Sequence, residues 1–191
     1  MSVLIAVPTF ENIAPETFRA IYALKGDDLS FDYVTGYDCA KARNDIVRKA
    51  LAGGFDYVLM VDSDIIVPPE TLEYMLENPV DVCFGVYRRK KHPEETELFK
   101  PGTFDFRNRY TVEELDEMEA NRVIVKGGGF GCALIRTQIF ENLEYPWFSY
   151  VSYENDTYLS EDLYFCFACE GIYKMQADTR VKCGHIMRTI I

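Results

Sequence analysis

The 191-residue chain predicts a single α/β domain in which helices flank a mainly parallel central sheet. Hydrophobic residues make up 48% of the chain, which is enough to form one globular core. Short continuous apolar runs, typical of strands buried on both faces, alternate with segments of helical periodicity. Such alternation implies parallel strands joined by right-handed crossovers.

The first half of the chain shows this alternation most clearly. Val3–Val7 is an apolar run that predicts a strand ended by Pro8, and a helix is expected from Pro15 because proline suits a first helical turn. The further elements predicted here are a strand at Phe31–Thr35, a helix at Cys39–Leu51 closed by Gly53 and Gly54, a strand at Tyr57–Val61, a helix from about Pro69 and a strand at Asp81–Tyr87. The apolar spacing of the second helix predicts a core-facing side formed by Ala42, Ile46, Val47 and Ala50.

The second half is less regular. Arg88–Tyr110 is predicted to be a long loop, and Thr111 with Glu114 forms a capping box at the start of a short exposed helix. The remaining predictions are strands at Arg122–Lys126 and Gly131–Arg136, a helix over Glu161–Glu170 ending at Gly171, and a final short strand or loop at Val181–Ile186. Because no repeat or linker divides the chain, residues 1–191 predict one domain, with 88–122 as a variable region.

The charge balance excludes some classes of partner. The chain has 31 acidic and 20 basic residues and a net charge of -11, which repels phosphate backbones, so nucleic-acid backbone binding is not expected. Because no apolar run reaches about 18 residues, no membrane span is expected. The N-terminal stretch lacks a basic region and a signal-like cleavage site, so we expect a cytoplasmic protein with six reduced cysteines.

The segment "DYVLMVDSDIIV" places Asp62 and Asp64 directly after an apolar strand. Ligands of open parallel sheets bind at the carboxyl ends of strands, and residues two apart in an extended segment project to the same side. Two such carboxylates repel each other unless a cation lies nearby, and no lysine or arginine is close in sequence. The segment therefore indicates a site for a hard divalent ion. The alternative is a strand-to-helix loop in which one aspartate caps the next helix.

Several short segments, taken in order, resemble one known family. These are "VPTF" after the first strand, "TGYDCAKARN" after the second, "DYVLMVDSD", "SED" at a late helix and "CGHI" near the C-terminus. The set resembles the nucleotide-sugar glycosyltransferases of GT-A fold, especially the family 2-like group and its compact phage or bacterial members. The resemblance covers nearly the whole chain and is strongest over residues 3–72 and 127–186.

The resemblance implies a metal-dependent donor site. Its acidic segment would bind the diphosphate of a nucleoside-diphosphate sugar through Mn²⁺ or Mg²⁺, with Asp64 on the metal, Asp62 on the ribose or a metal-bound water, and Ser63 between them. His185 is implied as a further metal ligand, and an imidazole beside carboxylates favours Mn²⁺. The other residues implied to line the nucleotide pocket are Pro8, Thr9, Glu11, Asp38, Arg43 and Asn44. For Arg43, an ordinary basic residue on a surface helix is the alternative.

The resemblance also implies a base and an acceptor side. Asp162, with Glu161 second, resembles the carboxylate that takes the acceptor's hydroxyl proton in inverting members. A retaining outcome remains open, and both acids also suit a helix N-terminus. The residues implied on the acceptor side are Gly128, Gly129, Phe130 and Trp147. The glycines also fit a bare tight turn, and the tryptophan also fits partial burial in the core.

Other patterns compete with this hypothesis. Cys166, Cys169, Cys183 and His185 have spacing that can bind structural zinc, although the first two cysteines lie in an apolar helical stretch. The basic run Arg88–Lys91 either attracts phosphate or is an ordinary solvated run.

Three functions follow. The first is a glycosyltransferase of the hexosyltransferase type that uses an unknown hydroxyl acceptor. The second is a non-catalytic nucleotide-sugar or glycan-binding module on the same fold. The third is a sugar-phosphate nucleotidyltransferase, which lacks support because no glycine-rich, arginine-bearing loop follows the first strand.

Overall fold

A computed structural model describes residues 1–36, 38–105, 107–152 and 158–187. The helices are α1 Pro15–Tyr22, α2 Cys39–Ala52, α3 Thr71–Glu77, α4 Val112–Glu117, α5 Ile139–Asn142 and α6 Glu161–Cys169. The strands are β1 Val3–Thr9, β2 Leu29–Thr35, β3 Tyr57–Val61, β4 Ile65–Ile66, β5 Val82–Val86, β6 Glu95–Phe99, β7 Arg109–Thr111, β8 Arg122–Ile124, β9 Gly127–Gly128, β10 Cys132–Arg136, β11 Val151–Ser152, β12 Tyr158–Leu159, β13 Met175–Lys182 and β14 Gly184–His185.

The main sheet of the described residues has seven strands in the order β2-β1-β3-β10-β5-β13-β8. Strands β1, β2, β3, β5 and β13 run in one direction, whereas β10 and β8 run antiparallel to their neighbours. The prediction of an α/β domain with a mainly parallel central sheet is therefore confirmed.

Both faces of the sheet are covered, which explains the continuous apolar runs. Along β3, Val58 and Met60 face a core layer that includes residues of α2 and α6, whereas Leu59 and Val61 face a second layer that includes residues of α1 and α3. A strand buried on both sides needs an apolar residue at every position. All five residues of β3 and all seven of β1 are buried accordingly.

Helix α2 follows its sequence pattern closely. Asp38 caps it by accepting a hydrogen bond from the Lys41 N–H at 3.1 Å. Gly53 ends it, and Gly54 then takes a positive φ of 67° that favours glycine. The predicted apolar face is confirmed, since its four members are all buried: Ala42, Ile46, Val47 and Ala50.

The prediction of a long loop at residues 88–110 is wrong. Strand β6 pairs with β7 and β9 in a separate three-stranded sheet. Its sequence "ETELF" carries an alternation, since Thr96 and Leu98 are buried while Glu95 and Glu97 are partly exposed. The charged side chains conceal the period-two pattern typical of a strand. The capping box of Thr111 and Glu114, in contrast, is confirmed.

The last part of the chain is more regular than predicted. Strand β13 has eight residues and lies inside the main sheet, where a short strand or loop was expected from Val181 onward. It begins with mixed polar sequence because Asp178, although fully buried, is paired with Arg122 and Arg180. The helix before it ends near Gly171 as predicted, with that glycine at a φ of 74°.

Two further observations concern the described residues. No helix among them is both long and apolar enough to cross a membrane. All six cysteines lie in the described ranges, and each is a free thiol.

Candidate active site

The two aspartates of the acidic segment lie where β3 ends, as predicted from the strand pattern. The Asp62 N–H donates to the Gly131 carbonyl at 3.1 Å, and the Ile65 N–H donates back to the Asp62 carbonyl at 3.1 Å. Strand β4 then pairs with β14 so that Ile65 lies opposite His185. The fold thus brings together Asp64 and His185, whose Oδ2 and Nε2 are 3.7 Å apart.

The orientation of the His185 ring suits a metal ligand. Its Nδ1 lies 2.8 Å from the Arg88 carbonyl oxygen, and because a carbonyl can accept but not donate, Nδ1 carries the proton. The lone pair of neutral imidazole is then on Nε2, the nitrogen that faces Asp64. The Tyr87 ring meets the imidazole edge-on at 5.5 Å between centroids.

The local charges shift the pKa of both groups. Burial lowers the pKa of His185, but the hydrogen bonds to Asp64 and to the Arg88 carbonyl raise it, and the net result is a raised pKa. The pKa of Asp64 falls to about 2, chiefly through the hydrogen bond with His185 and, against the cost of burial, through Lys90. Asp64 is therefore ionised throughout the physiological range.

Each aspartate already has a cationic neighbour, which corrects the expectation drawn from local sequence. The Arg43 Nη2 lies 2.9 Å from Asp62 Oδ1, and the Lys90 ammonium is hydrogen-bonded to Asp64 Oδ2. Arg43 precedes its partner by 19 residues and Lys90 follows its partner by 26. Both cations are brought in by the fold, so inspection of the neighbouring sequence could not reveal them.

Arg43 is not the surface residue of the alternative interpretation. It is 2% exposed and bridges two acids, since its Nε also lies 3.2 Å from Glu161 Oε1. Its guanidinium carbon lies 5.5 Å from the centroid of the Phe130 ring. Arg43 therefore links the acidic segment to the start of α6.

The residues present fit a divalent cation that is completed by its ligand. Among the described residues, no three His, Cys, Asp or Glu side chains converge to hold a metal ion. Asp64 and His185 supply one carboxylate oxygen and one imidazole nitrogen, a donor pair that suits Mn²⁺. Diphosphate oxygens and water would have to supply the remaining ligands. Asp62, which is paired with Arg43, remains a predicted rather than a supported ligand.

Asp162 has the properties of a proton acceptor near neutral pH. Its Oδ1 accepts from the Leu163 N–H at 2.8 Å and from the Ser160 hydroxyl. Burial first, and the charge of Glu161 second, raise the pKa of Asp162 to about 6, against the opposing effect of Ser160. A carboxylate with such a pKa is ionised at pH 7 and more basic than an ordinary aspartate.

Tyr87 and Glu97, two residues that sequence reasoning missed, lie beside Asp162. A Cβ placed on Gly129 would overlap the Tyr87 hydroxyl and lie 3.2 Å from the Glu97 Cβ and 3.5 Å from Asp162 Oδ2. Glycine at this position therefore allows these three side chains to pack close to the backbone. The Tyr87 hydroxyl accepts from the Gly131 N–H at 3.1 Å. The alternation in "ETELF" is the signal that could have placed Glu97 on a strand.

Three cavities meet at Asp64. The largest, about 680 Å³, is lined by Thr9, Glu11, Ser63 and other residues, and a second of about 260 Å³ is lined partly by Pro8 and Cys39. The third, about 310 Å³, is lined by Asp62, Asp64, Arg89, Lys90, Lys91, Glu97 and His185. The predicted nucleotide loop and the predicted metal ligands thus border neighbouring cavities that share Asp64.

Other predicted site residues have structural partners. Asn44 is buried, donates to the Ala40 and Phe148 carbonyls, and accepts from the Trp147 and Phe148 N–H groups. The Trp147 indole donates to the Phe140 carbonyl at 2.9 Å, and the side chain does not line any of the three cavities. These contacts indicate that both residues hold the segment after α5 against α2.

The remaining acceptor-side residues are also buried. Gly128 belongs to β9 and pairs with Leu98, and Phe130 is 1% exposed among Phe84, Phe148 and Phe165. Phe130 therefore supports Arg43 from the core, and of the predicted acceptor-side residues Gly129 is the one that lies against Asp162.

The cysteines do not support the zinc alternative. Cys166 and Cys169 are fully buried in the apolar face of α6, and a Cβ on Gly127 would touch the Cys166 side chain. Cys183 lies elsewhere, where its thiol and that of Cys132 both approach Gly85. Desolvation raises the pKa of Cys169 to about 12, so this thiol stays protonated at neutral pH.

Comparison with known proteins shows similarity at the level of structure. No family model and no curated protein sequence matches the chain. Among solved structures, A197 from STIV superposes with a TM-score of 0.67 at 18% identity, over 98% of this chain and 87% of that one. S. aureus TarS 1-349 gives 0.58 at 14% identity, and GalNAc-T7 with UDP, GalNAc and Mn²⁺ gives 0.62 at 10%. TarS 1-349 has also been solved in complex with UDP-GlcNAc.

These similarities establish the fold. The chain adopts an α/β architecture of GT-A type, shared with structures of glycosyltransferases. It spans 60% of TarS 1-349 and 43% of GalNAc-T7, so both comparison proteins contain a large part with no counterpart in the matched region.

Proposed function

We propose that the protein is a metal-dependent glycosyltransferase that moves a sugar from a nucleoside-diphosphate donor to an acceptor hydroxyl with inversion. One juxtaposition carries the proposal. The Asp64–His185 pair and the basic carboxylate of Asp162 border the same end of the sheet, with Tyr87 in contact with both regions. Two separate tasks, holding a leaving diphosphate and accepting a proton, require such an arrangement.

The donor lies in the cleft that meets Asp64. Thr9, Glu11 and Ser63 border the nucleoside, and the diphosphate reaches Asp64 and His185. Asp64 and His185 would hold a divalent ion, and such an ion would offset the charge that develops on the leaving diphosphate. The Nδ1–H bond to the Arg88 carbonyl keeps the imidazole turned toward this position.

The acceptor lies beside Gly129. Its hydroxyl oxygen attacks the anomeric carbon, the bond from that carbon to the diphosphate oxygen breaks, and the hydroxyl proton moves to Asp162. The charge balance is complete because the diphosphate leaves with the bonding electrons and Asp162 becomes neutral. Glu161 is the weaker candidate for the base because its carboxylate is paired with the buried Arg43.

A non-catalytic nucleotide-sugar or glycan-binding module on the same fold is the second candidate. One observation favours it, namely that both aspartates already have cationic partners in the structure. Such a module would bind nucleotide but would not release nucleoside diphosphate from a sugar donor.

A thermal-shift panel with UDP and GDP tests the binding step, because a ligand selective for the folded state raises the unfolding temperature. We expect a larger shift with Mn²⁺ than with EDTA, and we expect Asp64→Ala to lose the Mn²⁺-dependent part while the protein remains folded. Equal shifts in EDTA would contradict the metal-dependent proposal. Release of nucleoside diphosphate from UDP- and GDP-sugars with glycan acceptors then separates an enzyme from a binding module.

A further inference from the structure

The basic run Arg88–Lys91 does not behave as one solvated segment. Arg88 Nη1 donates to the Pro93 carbonyl at 2.8 Å, and Arg89 pairs with Glu95 and Glu97. Lys90 contacts Asp64, whereas Lys91 has no ion pair among the residues the structure describes. Lys90 is therefore the member of this run that is directed at the candidate metal ligand.

Lys90 also lies at a junction. Asp64 and Lys90 are the two residues shared by the linings of the 680 Å³ and 310 Å³ cavities. In the proposed function, the 680 Å³ cavity borders the nucleoside. The 310 Å³ cavity is lined partly by His185. A diphosphate that connects a nucleoside in one cavity with a metal ion at Asp64 passes within reach of the Lys90 ammonium.

We propose that Lys90 is an exchangeable counter-ion, which neutralises Asp64 in the metal-free protein and transfers to the donor diphosphate when a divalent cation binds Asp64. This inference rests on the proposed function. A divalent ion and the lysine ammonium at the same Asp64 oxygen repel each other, so metal binding there favours displacement of the lysine. The diphosphate supplies new acceptor oxygens for the three N–H donors of the lysine.

The exposure of the pair makes the exchange feasible. The Lys90 side chain is 48% exposed and its flexible four-carbon stem can move without a change in the backbone. A half-exposed ion pair contributes little to stability, so a divalent cation can displace the lysine at small cost.

If Lys90 exchanges in this way, one substitution should change the affinity for Mn²⁺ and the affinity for UDP or GDP in opposite directions. In Lys90→Ala, MnCl₂ alone should bind roughly threefold to fivefold more tightly, because a competitor for Asp64 has been removed. In the presence of Mn²⁺, UDP or GDP should bind about tenfold more weakly, because a charged hydrogen bond to the diphosphate has been lost. Binding of uridine or guanosine, which lack the diphosphate, should not change.

Isothermal titration calorimetry, with Mn²⁺ electron paramagnetic resonance for the metal alone, measures both affinities. Lys49→Ala is the matched control, since Lys49 forms a similarly exposed ion pair, with Asp32, and lines none of the three cavities, so neither affinity should change by more than about twofold. Lys90→Arg keeps the charge and should bind UDP or GDP more tightly than Lys90→Ala. Circular dichroism confirms that each variant is folded.

Three results would overturn the inference while wild-type protein still binds Mn²⁺ with UDP or GDP. These are weaker Mn²⁺ binding in Lys90→Ala, shifts of both affinities in the same direction, and equal effects of Lys90→Ala and Lys49→Ala. If the wild-type protein binds neither UDP nor GDP with Mn²⁺, the proposed function itself is contradicted. That result differs from the three above, in which the wild-type protein still binds, so failure of the inference and failure of the proposed function are distinguishable.

Discussion

Replacement of Asp162 by asparagine should make the protein more stable and less active. The substitution keeps an Oδ1 acceptor for the Ser160 hydroxyl and the Leu163 N–H. It removes a charge that burial and Glu161 disfavour, as the rise of the pKa from 3.8 to about 6 shows. A pKa difference of this size corresponds to roughly 3 kcal/mol, which the wild-type fold loses when Asp162 ionises.

The sign of this effect fixes its pH dependence. Because the folded state holds the proton more tightly than the unfolded state, the penalty is small at pH 4 and complete above about pH 6. Asp162→Asn should therefore raise the free energy of unfolding by roughly 3 kcal/mol at pH 8, and by about half of that at pH 5. Urea unfolding followed by circular dichroism in EDTA at both pH values measures the difference.

Substitution of Asp45 is a control whose effect on the free energy of unfolding should have the opposite sign. The hydrogen bond from Lys41 lowers the pKa of Asp45, so its charge stabilises the fold. Asp45→Asn should reduce stability at pH 8, and its effect should disappear as the pH falls through the Asp45 pKa. An Asp162→Asn protein that is no more stable than wild type at pH 8 would refute the raised pKa.

The same variant tests the catalytic assignment. Asp162→Asn should leave UDP or GDP affinity with Mn²⁺ within a few-fold and lower sugar transfer by at least about a hundredfold. Glu161→Gln should cost less transfer. In the wild type, kcat/KM should increase as the pH rises through about 6, because the base in the free protein must lose its proton. Transfer by Asp162→Asn at a near-normal rate would exclude it as the base, and NMR of the product's anomeric configuration would then separate a base role for Glu161 from a retaining mechanism.

Two further substitutions test the framework of the site. Arg43→Met should lower the free energy of unfolding by about 3 kcal/mol, because it leaves the buried Glu161 without its cationic partner. Arg48→Met on the exposed side of α2 should change it by less than about 0.5 kcal/mol in the same urea titration. Gly129→Ala should reduce the unfolding temperature and sugar transfer because its Cβ would overlap the Tyr87 hydroxyl. Addition of Tyr87→Phe should restore part of the lost stability, and strictly additive losses would show that the two groups do not collide.

Much of the fold was predictable because a strand buried on both faces has a continuous apolar run in its sequence. Strand β3 needed an apolar residue at every position, β1 needed one from Val3 to Val7, and α2 needed an apolar face between an aspartate cap and two glycines. Strands β6 and β13 have no such apolar run. Thr96 is buried with its hydroxyl donating to the Tyr110 carbonyl, and Asp178 is buried against two arginines. When the hydrogen-bond or ion-pair partner of a buried polar residue is distant in sequence, the sequence pattern does not distinguish that residue from an exposed one.

The candidate site was predictable to the same extent. The acidic segment was predicted from the strand that it follows, whereas His185 and Asp162 were predicted from the resemblance to a known family. The partners that set their charges could not, since Arg43 meets Asp62, and Lys90 meets Asp64, through long-range folding. Nor could the assignments of Asn44 and Trp147 be checked before the structure showed their amide and indole groups bound to the backbone.

The two aspartates of one short segment have counter-ions of different kinds, and on that basis we propose different roles for them. Asp62 is paired with the buried guanidinium of Arg43, which also pairs with Glu161. Displacement of Arg43 would therefore leave Glu161 buried without its cationic partner. Asp64 is paired with a half-exposed ammonium on a flexible stem, and the His185 Nε2 faces it. On the proposed function, a metal ion replaces the second cation but not the first. The geometry therefore favours metal binding at Asp64 and a fixed structural charge at Asp62, which connects the donor side to the helix that carries Asp162.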